Sequence, residues 1–530
     1  MRGRFADARS RGVAWDAANR GADGAGDPGS WAPAERGALL LGLLGAAAHL
    51  WRFTHPDFAV DDAWISFRIA RNFLDGEGLV YNAGLPPVEG MTNLLWTLLS
   101  AGWIALWPQV DPIVGARVVG GLFQLGAVSF VGAAARRLAV EQGAEGGRRA
   151  LAVAVATLLT ALCGSMAYHA TSGLETGLWA FLVAAGLERA VAGRWGAVGA
   201  LGALAFATRP EAGLFVPALF GWMALRAGGV RGGTAGLGVF FAGVAAVEAF
   251  RLYTYGALVP NTFHAKPPSG SGAAEYALRW LWLGGGGGLG LLALLPVRRS
   301  RGLLGLAALA LLSFAGALAT GGDWMPGLRR LTEAGLVVYV LAGVGLAVAV
   351  SWERWVAAIG VLALAASSVS GVVRTADSAL YPHAVNAQVG TLLRGAPGVR
   401  SIAVADIGRI GWSFPGPIYD FAGLVDRTIA SGGGAHGEKD WNEGYFRAWA
   451  PDVVLLTTFG DPRNASSLEM RSLDLPAAAS LRENGGYVPW AAAENLPGVW
   501  LVVFAREGVE LPEAQWGAPD PALSAAFLGE

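Results

Sequence analysis

The sequence predicts an α-helical membrane protein of about eleven spans, with interfacial helices in its first external loop and a soluble α/β domain at its carboxyl end. Three observations carry this. Of 530 residues, 54% are hydrophobic and only 15% charged, against roughly 25% charged in soluble domains. Apolar runs near the roughly 20 residues that cross a bilayer recur from residue 37 to residue 374 and then stop. Beyond them, the short β-type runs SIAVADIG, DVVLLTTF and VWLVVFA alternate with Gly/Pro turns and helix-like stretches, the pattern of a small α/β unit.

Residues 1–35 are rich in Arg, Gly, Ala and Asp without apolar periodicity and read as a disordered cytoplasmic tail. The run at 37–53 reads as a retained first span rather than a signal peptide. Taking 112–134 as the second span puts Arg136, Arg137, Arg148 and Arg149 on the amino-terminal side, and later spans alternate consistently with the arginines. They fall near 150–169, 174–190, 196–208, 211–225, 234–253, 274–296, 302–319, 331–350 and 355–373. The domains are then a tail 1–35, a membrane domain 36–374 with its first external loop at 54–111, and an extracytoplasmic domain 375–530. The run NLLWTLLSAGWIALW at 93–107 breaks this alternation if it crosses. It is therefore expected to lie along the outer interface with its tryptophans at headgroup depth.

A formal net charge of -1 gives no basic field for nucleic acid. No P-loop or dinucleotide fingerprint is present, and GGGGG at 284–288 lies within an expected span, where it reads as close helix packing. The single cysteine, Cys163, can form no intrachain disulfide. Only two lysines occur, Lys266 and Lys439, in a chain whose other basic residues are arginines.

Chemistry is expected where polar residues interrupt the apolar runs on the outer side: VDDAW (60–64), TSGLE (171–175), PNTFHAKPP (260–268) and GGDWMPGLRR (321–330). From Asp61 to Asp75, Ala63, Phe67, Ala70, Phe73 and Leu74 recur at three- and four-residue steps and leave Arg68, Arg71, Asn72 and Asp75 on another face, an amphipathic interfacial helix. A cap accounts for one of the adjacent carboxylates Asp61 and Asp62. The second, beside a bilayer and a like charge, has its pKa raised toward that of a general base. The pair is also the candidate ligand set for a divalent cation, although a hard-cation cage needs more oxygens than it supplies.

The stretch DDAWISFRIARNFLDGEGLVYNAG, followed by VEGMTNLLW, resembles the first external loop of the polytopic GT-C glycosyltransferases, most closely that of the mycobacterial terminal β-(1→2)-arabinofuranosyltransferases and their bacterial relatives. TRPEAGLF (208–215), PNTFHAK (260–266) and GGDWM with its nearby arginines (321–330) extend the likeness over the membrane portion; the tail matches only loosely. The resemblance implies transfer of a sugar, arabinofuranose in the nearest relatives, from a polyprenyl phosphate to an extracytoplasmic glycan or glycoconjugate of the cell envelope. It further implies that an aspartate of the first loop acts as the base and that no nucleotide takes part, and the protein is expected in the inner or plasma membrane.

A base beside the acceptor hydroxyl and a lipid phosphate as leaving group make direct displacement with inversion the expected course. Asp61 and Asp62 are treated as one site, with a slight preference for Asp61. The phosphate clamp candidates are Lys266, Arg329, Arg330 and Arg209, the last of which equally reads as snorkelling to the interface. Glu89, Asn93, Asn261, His264 and Asp323 are candidates for sugar or acceptor contacts. Glu175 reads as an interface carboxylate, and Asp406, Asp420 and Asp426 as strand-end turn residues. DWNEGYFRAW (440–449) supplies aromatic faces for a sugar or for packing. The competing classes are a flippase for a lipid-linked sugar, against which stand the lack of an evident repeat and the placement of the acids in loops, and a non-catalytic scaffold.

Overall fold

The computed structural model describes residues 30–54, 59–230, 232–266, 272–283, 286–322, 325, 328–377, 383–434, 439–464 and 469–528. A helix, or a broken helix, lies at each expected span, from Pro33–Arg52 to Glu353–Asp377. By length and apolarity, four of the described helices suffice for a full crossing: Pro112–Glu141, Thr234–Tyr255, Arg301–Ala319 and Arg329–Val348. The pair Gly147–Leu162 and Gly164–Thr171, bent by 54°, makes a fifth if taken as one span. The protein is thus a multi-pass membrane protein by its helices. Trp195–Thr208 and Ala212–Ala227 have 14 and 16 residues, about 21 and 24 Å at 1.5 Å per residue, short of the roughly 30 Å hydrocarbon core. The chain between them, Arg209–Glu211, is polar and reaches the cavity described below.

The expected span at 274–296 is not one α-helix. Ala273–Leu283 is followed by a 3-10 stretch, Gly286–Arg299, which packs closely on Glu353–Asp377. A Cβ at Gly360 would lie 2.3 Å from the backbone nitrogen of Ala293, so glycine lets these two backbones meet.

In the first loop, helices Asp61–Leu74 and Leu94–Leu106 pack against each other. The second corrects the expectation of an interfacial helix with tryptophans in the headgroups. Trp96 and Trp103 are buried, and their indole nitrogens donate to the carbonyls of Gly173 (2.9 Å) and Pro112 (3.1 Å). Of the tryptophans in that run only Trp107 is exposed, beside exposed Leu106. The arginine alternation argues only against a crossing, and the neighbours of this helix are the loop helix and the helices Pro112–Glu141 and Trp195–Thr208.

The carboxyl-terminal part builds a mixed sheet from β1 (Ile402–Val404), β2 (Ile418–Asp420), β3 (Val453–Phe459), β4 (Glu469–Met470), β5 (Tyr487–Leu496) and β6 (Val499–Arg506). Its order is β2-β1-β3-β6-β5, with β4 added to β3. β1 is parallel to β2 and β3, while β3, β6 and β5 run antiparallel. The three runs read as strands from sequence are β1, β3 and β6. β3, central and covered on both faces, is a continuous apolar run for that reason.

One face of this sheet packs on Glu443–Trp449, Leu475–Asn484 and Pro521–Leu528. The other, through Ile402, Val404, Val453 and Leu501, shares its core with Ile65, Ile69, Tyr81 and Met91 of the first loop. On the opposite side of the same loop helix, Ala63, Trp64 and Phe67 belong to the membrane core. The helix read as amphipathic and interfacial is therefore enclosed between two hydrophobic cores. Of its polar face, Arg68 and Arg71 meet the tail domain, Asn72 bonds to the Val80 and Tyr81 carbonyls of its own loop, and Asp75 is exposed.

Candidate active site

The loop helix begins at Asp61, and its N-cap, Val60, offers no side-chain cap. Neither aspartate caps its own helix. Successive helical residues point about 100° apart, and the two carboxylates part accordingly. Asp61 is buried and accepts from the backbone N–H groups of Gly408 (2.7 Å) and Arg409 (2.9 Å), at the start of the tail helix Ile407–Ser413. Its carboxylate thus serves as a cap supplied from a distant part of the chain. That helix's own N-cap, Asp406, is engaged with Arg471 at 2.8 Å. Burial, reinforced by the nearby Asp406 charge and opposed by the two N–H donors, pushes the Asp61 carboxyl up to about 7.

Asp62 lines a cavity of about 570 Å³. Lys266 Nζ lies 3.8 Å from its Oδ2, both side chains about a third exposed or less. Arg329 and Arg330 stand on the same wall system, Arg330 Nε being 3.6 Å from Glu211 Oε1 and its guanidinium donating to the Gly322 carbonyl at 2.8 Å. Arg209 also reaches the cavity, but its guanidinium is committed: Nε is 2.7 Å from Glu175 Oε1 with both residues buried. Glu175 Oε2 accepts from Asn93 Nδ2 (3.1 Å), and Asn93 Oδ1 accepts from Ser66 Oγ (3.2 Å) and Thr97 Oγ1 (3.1 Å). This chain of bonds joins the loop helix to the turn between the two short membrane helices.

The structure therefore brings Asp62, Lys266, Arg329, Arg330, Arg209 and Asn93 to one cavity and takes other candidates elsewhere. Glu89 pairs with buried Arg251 at 3.0 Å and, with Asn261 and His264, lines a second cavity of about 260 Å³. Asn261 Nδ2 donates to the carbonyls of Gly423 (2.8 Å) and Leu424 (3.0 Å) in the tail. Asp323 lies outside the described residues. Glu175, Glu211, Glu333 and Ser66 were not read as site residues. TSGLE and TRPEAGLF had been singled out as segments, but a carboxylate's neighbours across the bundle leave no trace in its own segment.

Among the described residues no three of His, Cys, Asp and Glu converge as a metal cage. Each Asp61 oxygen accepts one backbone N–H group, from Gly408 and Arg409. Lys439, the second lysine, donates to the carbonyls of His264 (2.8 Å) and Ala430 (3.0 Å), stitching the 261–266 segment to the tail. In the tail, Asp420 accepts from the Ala422 and Val425 nitrogens and Asp426 caps Arg427–Ala430. The aromatic segment packs on itself: Phe446 is fully buried, with Trp441 at 5.0 Å and Tyr419 at 5.6 Å between ring centres.

The model of a domain of unknown function (DUF8728) matches residues 378–509, essentially the sheet domain up to the end of β6. The sequence matches no curated protein. Among solved structures, the chain is similar to apo ArnT from Cupriavidus metallidurans, at 13% identity and a TM-score of 0.57 over 89% of this chain and 98% of that one. ArnT bound to undecaprenyl phosphate gives 12% identity and 0.54 over 88% and 98%. The oligosaccharyltransferase AglB from Archaeoglobus fulgidus, in complex with an inhibitory peptide and a dolichol-phosphate, gives 12% and 0.50 over 93% and 77%. At such identities the likeness is one of fold.

Proposed function

We propose that this protein is a membrane glycosyltransferase that moves a sugar from a polyprenyl phosphate to a hydroxyl of an extracytoplasmic glycan or glycoconjugate, with Asp62 as the general base. The observation that carries the reading is the pairing of Asp62 with Lys266 at 3.8 Å on the wall of a cavity that also receives Arg329 and Arg330. Such a cavity offers a proton acceptor and a set of cations, the two things a displacement at a sugar phosphate needs. The similar structures holding undecaprenyl phosphate and dolichol-phosphate make a polyprenyl phosphate the carrier to test.

In the proposed step the acceptor O–H gives its proton to the Asp62 carboxylate while its oxygen bonds to the anomeric carbon. The bond from that carbon to the phosphate oxygen breaks on the opposite face, and the departing lipid phosphate keeps the electron pair. Lys266, Arg329 and Arg330 hold the charge that grows there. The product is inverted at the anomeric centre. Arg209, locked to Glu175, shapes the cavity and orients Asn93. The arginine distribution supports an outer position for this cavity, and the first-loop resemblance makes arabinofuranose the first sugar to try.

The test is transfer by the full-length protein in liposomes supplied with a panel of polyprenyl-phosphate sugars and a glycan acceptor. Asp62→Asn is expected to lose transfer by roughly 10²–10⁴-fold, the range for a general base, with donor binding kept. Movement of lipid-linked sugar across the bilayer with no new glycosidic bond would replace this reading with a flippase.

A further inference from the structure

Among the described residues no hydrogen bond holds the Asp62 carboxylate; its nearest charged partner is Lys266 at 3.8 Å. Its position is therefore that of its backbone, which the adjoining residue fixes. Asp61 grips two of the free N–H groups in the first turn of the tail helix Ile407–Ser413, those of Gly408 and Arg409, and the approach leaves no room for a side chain at 408. A Cβ on Gly408 would lie 1.9 Å from the Asp61 carbonyl oxygen and 2.5 Å from Oδ2. One turn on, a Cβ at Gly411 would lie 1.9 Å from the Tyr81 hydroxyl, which itself donates to the Ile407 carbonyl.

Further along the loop helix, Arg68 donates to the carbonyls of Gly411 and Phe414 (2.7 Å each) and Gly416 (2.8 Å), and Arg71 to that of Trp412 (2.9 Å). The tail helix is thus fastened along one face of the loop helix, and the fastening starts at the residue beside Asp62.

We propose that this contact sets the position of the reacting carboxylate: Asp61 and Gly408 are positioning residues for Asp62, and the tail domain is part of the reaction machinery. The inference rests on Asp62 being the base. Reacting geometry holds only within about 0.5 Å, and a displacement of about 1 Å costs on the order of 10²-fold in rate. The helix Ile407–Ser413 cannot withdraw, or admit a methyl group at 408, without moving the backbone of Asp61.

The experiment compares Asp61→Asn, Gly408→Ala and the double variant of the full chain in liposomes, with donor varied. Each single variant is expected to lower kcat roughly 10- to 100-fold and to leave the donor KM within about threefold, since Lys266, Arg329 and Arg330 lie on other segments. The double variant falls no further than the worse single one, because both changes remove the same contact. Asp61→Asn preserves volume and one acceptor, so it reports even where Gly408→Ala does not fold. Unchanged kcat in Asp61→Asn overturns the proposal, as do losses that multiply in the double variant in step with a falling unfolding temperature of the tail, the mark of a merely structural role. Transfer lost in Asp61→Asn but kept in Asp62→Asn overturns the base assignment instead.

Discussion

The seam between the first loop and the tail uses the same residue types as the cavity behind it, in opposite states. At the seam, Arg68 is 1% exposed and its guanidinium is spent on the carbonyls of Tyr81, Gly411, Phe414 and Gly416. Lys439 likewise donates to three carbonyls, and both Asp61 oxygens accept backbone N–H groups. At the cavity, Lys266 and Asp62 are partly exposed and 3.8 Å apart, too far for a hydrogen bond. A charge whose hydrogen bonds are all made within the protein holds structure together. A charge with bonds still to make is placed for a ligand.

The strongest way to break this comparison is Arg68→Ala. It leaves several buried carbonyls without a donor, each worth roughly 1–3 kcal/mol, so the tail should come off the loop and transfer should vanish with it. Limited proteolysis of the tail reads the first effect; a variant whose tail stays protected while donor affinity drops would dissolve the distinction between seam and cavity.

Lys266→Met should do the reverse, keeping the tail docked and raising the donor KM roughly 10- to 100-fold, the worth of one charge-assisted bond to phosphate at about 1.5–3 kcal/mol. Donor titration against the wild type checks it. The smallest effect is on pH. Asp61 and Asp420 are pushed up to about 7 and Asp474 to about 6, in each case chiefly by burial. These acids bind protons more tightly folded than unfolded, so between roughly pH 4 and 7 stability falls as pH rises. The tail should unfold at a higher temperature at pH 5.5 than at pH 8, and Asp61→Asn should narrow that gap by removing its share.

Much of the architecture could be read from the chain because it is local. Apolar runs located the helices, and β-type runs located β1, β3 and β6. The acidic pair, the lysine at 266 and the arginines at 329 and 330 announced themselves by standing in oil-rich surroundings, where a charge is costly unless used. What escaped is non-local. Arg68 and Arg71 sit on the polar stripe of an amphipathic helix, and periodicity says only that such a stripe needs polar company. That the company is a helix more than 300 residues away, and not water, cannot be inferred from spacing.

The same limit explains Trp96 and Trp103, placed at an interface by composition and in the core by their neighbours. It explains Glu89 and Asn261 as well, which look inward from sequence and turn to Arg251 and the tail carbonyls in the fold. Of the two aspartates, no pattern in the sequence says which faces the cavity; a rotation of about 100° between neighbouring residues does.

The Asp61–Gly408 bond joins residues 347 positions apart, so its two ends are synthesised at well-separated times. The acidic loop leaves the ribosome long before the helix that fastens it. At about 5–20 residues per second the interval is roughly 20–70 s. Throughout it the nascent protein inserts helices with its acidic loop unanchored. A chain cut short before residue 407 would carry Asp62, Lys266 and both cavity arginines without the contact that holds Asp61. On the proposed function, completion of synthesis becomes the step that arms the site.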